Sequence, residues 1–205
     1  VPVWTYALAD ALLEKRVWME QGANTTYVRY ELTRGSGPAC LSIKALANYR
    51  DYHGGTRGNG WQMRVESAVR GLTVTAYDGA VPFHLLSDRG ESDAAHDWHA
   101  GFDLAVERAR GLDDREDHLH VGTILAAVEE GQPLTLVLST DPTASRDGAK
   151  ALKRRKRHER DLAAAFTKAR PVLAKQAPPW VGQALLAADQ FIVDRPSPED
   201  PKGRS

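Results

Sequence analysis

The chain has 205 residues, of which 42% are hydrophobic and 26% are charged, as in ordinary globular proteins. Its 27 basic residues equal its 27 acidic residues, so the formal net charge is zero and the pI is about 7.2. This balance argues against a protein dedicated to nucleic acid or to anionic membrane surfaces. A chain of this length forms one substantial core, with room for an appended subdomain.

A single cysteine, Cys40, lies in the apolar run ACLSIKAL. One cysteine cannot form an internal disulfide, and its neighbours predict a small buried thiol rather than a nucleophile. No apolar run approaches the roughly 20 residues that cross a bilayer. The first segment, VPVWTYALAD, lacks the basic region and apolar stretch of a signal peptide. We therefore expect a cytoplasmic protein whose partners include neither membranes nor nucleic acids.

Apolar and polar residues alternate along short segments in the first two thirds of the chain. In TTYVRYELT, Val28, Tyr30 and Leu32 fall on one side of a strand and the intervening residues on the other. Breakers such as RGSGP and YDGA are typical of hairpin turns. Many short strands with few helices between them predict a mainly β fold, an antiparallel β-sandwich, over residues 1–140. The predicted strands are TTYVRYELT, ACLSIKAL, WQMRVESA, LTVTAYD, VPFHLLSD, HVGTILAAV and PLTLVLST.

The pattern becomes helical after residue 140. Residues 143–170 are rich in alanine, leucine, lysine and arginine; Thr143 or Ser145 is a candidate cap, and Pro171 is predicted to end this helix. A second helix is predicted in PPWVGQALLAADQFIV, where two prolines suit a first turn. We expect residues 141–195 to form C-terminal helices. The proline-rich, charged residues 196–205 predict a disordered tail.

The most chemically varied stretch is NYRDYHGGTRGNGW, residues 48–61, a glycine-rich polar loop between two predicted strands. Loops held by a rigid sheet are favoured functional sites. The charged side chains here match sugar hydroxyls as hydrogen-bonding groups, and the aromatic rings offer flat faces to a pyranose. An equally weighted alternative is that ion pairing only fixes the loop. The candidate substrate-binding or domain-interface residues are Arg50, Asp51, Tyr52, His53, Arg57 and Trp61.

No sequence motif indicates a metal or a cofactor. His96 and His99, and His118 and His120, have usable spacings, but neither a cysteine pair nor a His-Glu zinc motif accompanies them. His118 and His120 share one face if they lie on a strand. A G-x-S-x-G nucleophile motif and a phosphate-binding loop are both absent from the sequence. We therefore expect no metal and no cofactor.

Two charged stretches favour plain solvation over chemistry. The acidic segment GLDDREDHLH, residues 111–120, is most simply interpreted as a solvent-facing turn. Sequence alone does not show which carboxylates lie at the separations of roughly 5 to 10 Å that glycosidases use. The basic run between Lys150 and Arg160 is interrupted by Glu159 and followed by Asp161, which favours a solvated helix over a phosphate-binding stripe.

Four segments, taken together and in order, are similar to the N-terminal domain of bacterial and archaeal glycogen debranching enzymes of the amylo-α-1,6-glucosidase type. The similarity runs from about Leu12 to Pro196 and covers nearly the whole chain. The combination of NTTYV, YRDYH and ADQFIV is much more specific than any one of them. The segments are QGANTTYVRYEL, LANYRDYHGGTRGNGW, ERARGLDDREDHLHVG and PPWVGQALLAADQFIVDRP.

The resemblance implies a β-supersandwich of the galactose-mutarotase-like kind, followed by linking helices and a catalytic (α/α)6 barrel. It implies that the complete glycoside hydrolase cleaves α-1,6-linked glucose at branch points of glycogen or related glucans, without a metal. Because the family's catalytic acid and base lie in the barrel, we expect no catalytic residue in residues 1–205 and no activity from this chain alone. The implied partners are the enzyme's own barrel and an α-glucan, either glycogen or a maltooligosaccharide.

Three roles stay open at this point. In the first, the domain packs on the barrel and helps to recognise α-glucan. In the second, it is a non-catalytic module, either an autonomous glucan-binding domain or a purely structural scaffold. In the third, it is an independent hydrolase with its own carboxylate pair. An exposed line of aromatic side chains favours autonomous binding. The third role is the weakest of the three, although acidic residues are plentiful in the sequence.

Overall fold

The structure, a computed structural model, describes residues 1–51 and 54–192. Within them the chain divides into two compact units. The first, here called the β unit, consists of Val1–Trp18 and Asn24–Gly148. The second, the helical unit, consists of Met19–Ala23 and the described residues from Ala149 onward. Strands make up most of the β unit, as the period-2 alternation in its sequence predicts.

The β unit is an antiparallel sandwich of two unequal sheets. Its elements are β1 (Val3–Leu8), β2 (Ala11–Met19), β3 (Thr25–Arg34), β4 (Ala39–Ala47), β5 (Arg64–Ala68), β6 (Gly71–Thr75), β7 (Phe83–Ser87), β8 (Glu91–Asp103), α1 (Ala105–Ala109), β9 (Arg115–Val128) and β10 (Leu134–Ser139). The larger sheet has seven strands in the order β1-β2-β3-β10-β7-β6-β5, and the smaller has three in the order β4-β9-β8. The predicted antiparallel β-sandwich followed by C-terminal helices is therefore confirmed.

The core lies between the sheets and follows directly from side-chain alternation. Leu72 and Val74 of β6, Ile124 of β9 and Leu134 of β10 are completely buried. The neighbour of Ile124 in sequence, Leu125, points to the other side of β9 and is 48% exposed. Each fully buried aliphatic side chain contributes about 1.5–3 kcal/mol to folding, so these inner positions supply much of the stability of the sandwich.

Strand β8 was not predicted from the sequence, and neither were β1 and β2. In β8 the register against β9 shifts after Ala94 and again after His99, as in β-bulges. The half-buried residues of β8 are consequently Ser92, Ala95 and Trp98, which are three apart rather than two apart. A period of two is the signal that identifies a strand in sequence, and the bulges remove it.

Two local predictions were wrong. Cys40 is exposed, because it lies on the outer side of β4 while Leu41 on the inner side is half-buried. The segment GLDDREDHLH is not simply a solvent-facing turn, since β9 begins within it at Arg115 and Glu116 is only 2% exposed. The apolar neighbours of Cys40 in sequence did not reveal which face of β4 carries its thiol. The burial of Glu116 depends on a cation, Arg50, that is distant in sequence.

The helical unit has three helices joined by short connections. The helix predicted from Thr143 begins only at Gly148, because Thr143 and Ser145 lie in the turn before it. There Thr143 donates its amide and its hydroxyl to Asp141 Oδ1, at 2.8 and 2.7 Å. As predicted, the long helix ends just before Pro171, which then occupies the first turn of the next helix. The helices are α2 (Gly148–Ala169), α3 (Pro171–Gln176) and α4 (Trp180–Asp189).

The basic run on α2 has carboxylate partners within the helical unit. Arg155 pairs with Glu159 one turn later, with Nε and Oε1 2.9 Å apart. Arg154 donates through two nitrogens to both oxygens of Glu20, at 2.8 and 2.7 Å. The Arg155 and Glu159 side chains are only 12% and 20% exposed. Arg157 and Asp161, 3.6 Å apart with side chains 78% and 69% exposed, are in keeping with the predicted solvated helix, since exposed ion pairs contribute about 0.2–1 kcal/mol.

The predicted division into residues 1–140 and 141–195 stays a prediction. Strands occur up to Ser139, and the long helix follows from Gly148. The predicted disordered tail, residues 196–205, lies outside the described residues.

Substituting Ile124→Ala should destabilise the β unit by about 2–5 kcal/mol, because it removes a fully buried side chain and leaves a cavity between the sheets. The matched control is Leu125→Ala, one residue along on the exposed side of β9, which should change the free energy of unfolding by about 0.5 kcal/mol or less. Urea unfolding of both variants measures the difference. Equal costs at the two positions would contradict the assigned orientation of β9.

Candidate functional site

Loop 48–61, the polar stretch singled out in the sequence, connects β4 to β5. The structure describes all of it except Tyr52 and His53, so the predictions for these two residues lie outside the described residues. In the described part, Asp51 accepts hydrogen bonds from the Gly54 amide through its carbonyl oxygen at 3.2 Å and through Oδ1 at 3.3 Å. Asp51 therefore binds the backbone of its own loop through both its main chain and its side chain.

Arg50 holds the loop to the first residues of β9. Its Nε donates to Oε1 of Glu116, and its Nη2 lies 3.4 Å from Oε2 of the same carboxylate. Its Nη1 also donates to the Asp51 carbonyl oxygen at 3.0 Å. Only 3% of the Glu116 side chain is exposed, against 29% of the Arg50 side chain, so removing Arg50 would leave a buried carboxylate without its cation.

The backbone of the loop completes the environment of Glu116. The Thr56 amide donates to Glu116 Oε1 at 3.2 Å, and the Asp117 amide donates to the Thr56 carbonyl oxygen at 2.9 Å. Burial by itself raises the pKa of Glu116, but the hydrogen bonds from Arg50 and Thr56 outweigh burial and leave that pKa below its ordinary value. Glu116 is therefore a charged anchor for the loop and is poorly suited to deliver a proton.

Asp117 ties the loop to β8. Its Oδ2 accepts from the Gly58 amide at 2.9 Å, and its Oδ1 accepts from the Gly101 amide at 2.9 Å. These two backbone bonds lower the pKa of Asp117. The adjacent carboxylates of β9 thus bind different parts of loop 48–61: Glu116 binds Arg50 and Thr56, and Asp117 binds Gly58. Asp117 also binds Gly101 of β8.

Arg57 makes the most exposed contact of the loop. Its Nη2 lies 3.1 and 2.9 Å from the two carboxylate oxygens of Asp113, and its Nη1 donates to the Arg115 carbonyl oxygen. The Asp113 side chain is 64% exposed, so this pair contributes about 0.2–1 kcal/mol. Of the candidate residues that the structure describes, Arg57 has the contacts that a ligand could displace at the lowest cost.

Trp61 lies on the inner side of the sandwich rather than at the tip of the loop. It packs against the core, its ring stacks near Trp98 at a centroid distance of 6.3 Å, and its indole N–H donates to the Ala76 carbonyl oxygen at 2.8 Å. The indole N–H of Trp98 in turn donates to the Trp61 carbonyl oxygen at 3.2 Å. These contacts favour a structural role for Trp61 as the anchor of the loop's second end.

A group of rings and a carboxylate lies beside the anchored loop, on β8 and β9. Asp97 pairs directly with His120, and His99 with His118, so the four side chains lie on one side of the smaller sheet. The ring centroids of Phe102 and His118 are 4.5 Å apart in an edge-to-face arrangement. We call this group the histidine face; it consists of Asp97, His99, Phe102, His118 and His120.

The histidine face is joined to loop 48–61 through His118. Its Nε2 lies 3.8 Å from Glu116 Oε2, and its Nδ1 lies 3.4 Å from Nδ2 of Asn48, the first residue of the loop. The alternation of His118 with His120 was visible in the sequence. The contributions of His99 and Phe102 were missed, because they depend on the register of two strands and on a bulge.

The chemical groups assembled here suit binding better than acid–base catalysis. In the part of the chain that the structure describes, no group of three or more histidine, cysteine, aspartate or glutamate side chains is arranged to hold a metal ion. Glu116 and Asp117 have lowered pKa values and accept several hydrogen bonds, so they stay ionised at neutral pH. The imidazole nitrogens offer hydrogen-bonding groups beside loop 48–61, and Phe102 offers an apolar edge.

Comparison with known proteins identifies the family. Residues 1–135 match the family model described as glycogen debranching enzyme N terminal. The chain belongs to this family. A search of curated proteins finds no match. The matched residues contain loop 48–61 and the histidine face of this debranching-enzyme domain, and they end within β10.

No membrane-spanning helix is found in the debranching-enzyme domain over residues 1–51 and 54–192, since none of the helices there is both long enough and apolar enough.

The stability of the debranching-enzyme domain should fall in acid because of Glu116 and Asp117. Both carboxyl groups have folded-state pKa values below their ordinary values of 4.5 and 3.8. Their contribution is therefore fully present above those ordinary values and is lost as the pH falls through the lower folded-state values. Urea unfolding from about pH 6 down to about pH 3 measures this loss.

Glu116→Gln should weaken that pH dependence, because the amide does not ionise and cannot form the ion pair with Arg50. The control is Glu66→Gln on β5, where the carboxylate is 58% exposed and 3.7 Å from Arg64. An acid profile unchanged by Glu116→Gln would show that this carboxylate does not contribute to the acid sensitivity.

Proposed function

We propose that this domain is the non-catalytic N-terminal part of a cytoplasmic glycogen-debranching α-1,6-glucosidase. In this proposal the domain packs on the enzyme's catalytic (α/α)6 domain and helps to recognise α-glucan, with residues 1–140 as a supersandwich and residues 141–195 as linking helices. The family match over residues 1–135 supports membership in a debranching enzyme. The observation that carries the further step is the ion pair between Arg50 and the buried Glu116, which holds loop 48–61 beside the histidine face.

Within this proposal Arg50, Asp51 and Trp61 position the loop. The Arg50 guanidinium binds Glu116 and the Asp51 carbonyl oxygen, and the Trp61 indole binds the Ala76 carbonyl oxygen. A loop whose shape is set before ligand arrives loses less conformational entropy on binding. Arg50 can therefore fix the loop and still contribute to binding. Its ion pair with Glu116 holds the loop in place, and neighbouring side chains make the contacts with the ligand.

The side chains that present this surface are Arg57, Phe102 and His118. Phe102 is 37% exposed and lies against the half-buried His118, giving an aromatic edge beside a polar ring. Arg57 adds an exposed guanidinium that is held in place by Asp113. We infer that these groups contact either the glucan or the catalytic domain, because both present hydroxyl, carbonyl or carboxylate oxygens to such donors.

A purely structural scaffold is the second candidate. The observation that favours it is the number of internal contacts made by Arg50 and Asp117, which bind the loop's own backbone and Glu116. Titrating the 205-residue chain with maltooligosaccharides separates the two candidates, because a scaffold gives no saturable signal. Release of glucose by the chain alone would instead indicate an independent hydrolase.

In the complete enzyme, His118→Ala should raise the KM for branched glucan by roughly 3- to 30-fold, as expected for the loss of about one hydrogen bond, with little change in unfolding free energy.

Arg50→Ala should lower kcat/KM and also destabilise the domain by about 3 kcal/mol, because it leaves Glu116 buried without its cation. Steady-state kinetics and thermal unfolding of the same preparations separate the two effects.

The matched control is Arg64→Ala, which removes an exposed arginine from β5 and should alter neither KM nor stability appreciably. Unchanged kinetics in His118→Ala together with reduced stability in Arg50→Ala would favour the scaffold and argue against glucan recognition at this surface.

A further inference from the structure

Gly58 is buried at the point where loop 48–61 lies against β8. A Cβ atom built on Gly58 would lie 2.9, 3.1 and 3.2 Å from Cδ2, Cγ and Cε3 of the Trp98 ring. Non-bonded carbon atoms pack best at about 3.5–4.0 Å, so a methyl group does not fit between this backbone and the ring. The φ angle of Gly58 lies outside the positive range that favours glycine. Space, and not backbone conformation, therefore requires glycine at position 58.

The Trp98 ring is held in place from the other side. Its indole N–H donates to the Trp61 carbonyl oxygen at 3.2 Å, its ring stacks near that of Trp61, and it packs against the buried core. One of the ring atoms nearest to Gly58 is Cγ, which stays where it is when the ring rotates about its Cβ–Cγ bond. A larger residue at position 58 would therefore displace the loop or the backbone of β8, because packed interiors transmit strain.

The turn that begins at Gly58 closes around the same ring. The Trp61 amide donates to the Gly58 carbonyl oxygen, and the two residues between them, Asn59 and Gly60, have φ angles of +35° and +80°. An Asn-Gly pair with positive φ at both positions is typical of a type I′ turn. Both ends of this turn lie against Trp98: Gly58 through its backbone, and Trp61 through its ring and its carbonyl oxygen.

Gly58 also connects the loop to both strands of the histidine face. Its amide donates to Asp117 Oδ2 at 2.9 Å, and Asp117 precedes His118 in β9. Trp98, the ring against Gly58, precedes His99 in β8. His99 and His118 lie opposite each other in the pairing of these two strands. The close approach at Gly58 therefore fixes the loop relative to β8 and β9 at once.

We propose that Gly58 is a positioning residue of the candidate site, whose close contact with Trp98 sets the position of Arg57 in the loop relative to His118 of the histidine face. This inference rests on the proposed function, in which Arg57 and His118 take part in glucan recognition. Gly58 acts through these neighbours, since it is buried and has no side chain of its own. A ligand that contacts both side chains binds more weakly when their relative position changes.

In the complete enzyme, Gly58→Ala should raise the KM for branched glucan by at least about threefold and leave kcat nearly unchanged, because it displaces binding groups and not the reacting ones. The matched control is Gly55→Ala in the same loop, where an added Cβ atom would lie 3.6 Å from Asp113 Oδ2, an ordinary contact. Because both variants restrict the unfolded chain equally, Gly55→Ala should leave KM unaltered. Steady-state kinetics of the two variants measure the difference.

Trp98→Leu tests whether the effect of Gly58→Ala is transmitted through the Trp98 ring. Leucine is smaller and more flexible, so in the Trp98→Leu background Gly58→Ala should increase KM much less than it does beside the intact ring. Equal increases in the two backgrounds would overturn the proposal. It would equally be overturned by an unchanged KM in Gly58→Ala if His118→Ala raises KM.

Hydrogen–deuterium exchange on the same enzymes distinguishes failure of this inference from failure of the proposed function. The Asp117 amide donates to the Thr56 carbonyl oxygen, and the Gly101 amide donates to Asp117 Oδ1. Gly58→Ala should accelerate exchange of both amides by at least about tenfold, because it displaces the loop, whereas Gly55→Ala should not.

Unaltered exchange in Gly58→Ala would overturn the positioning role, even if His118→Ala raises KM. Accelerated exchange together with an unchanged KM in both Gly58→Ala and His118→Ala would support the positioning of the loop and overturn glucan recognition at this surface.

Discussion

The burial of Glu116 is the constraint on which the candidate site depends. A carboxylate that is 2% exposed needs a cation and hydrogen-bond donors, and Arg50 and the Thr56 amide supply them from loop 48–61. Loop 48–61 therefore supplies the cation and the amide that stabilise a buried charge on β9. Because Asp117, the next residue, binds the loop and β8 at the same time, the geometry of the loop and that of the histidine face are coupled through two consecutive residues of one strand.

This coupling explains why the site favours recognition over proton transfer. A general acid needs a raised pKa and a general base needs lone pairs free to accept a proton, whereas Glu116 and Asp117 have lowered pKa values and several donors each. The same contacts tie Arg50, Thr56 and Gly58 of the loop to the start of β9, the strand that carries His118.

The two sheets of the sandwich are unequal in width. Seven strands on one side and three on the other leave the inner side of β1 and β2 without a facing strand in the described part of the chain. Trp4, Tyr6 and Leu8 share that inner side with the buried Leu13 but are 46%, 42% and 50% exposed.

Much of this domain was predictable from its sequence, and the limits have physical causes. Alternation in segments such as TTYVRYELT identified most of the sandwich, because one buried face imposes a period of two on a regular strand. The mixture of charges, rings and glycines marked loop 48–61, and the combined motifs indicated the debranching-enzyme family. Tertiary structure alone decided that Glu116 is buried, that Trp61 points inward, that Cys40 faces outward and that His99 joins His118. These outcomes depend on strand register, bulges and an ion pair between residues far apart in the chain, and local sequence carries no record of such long-range partners.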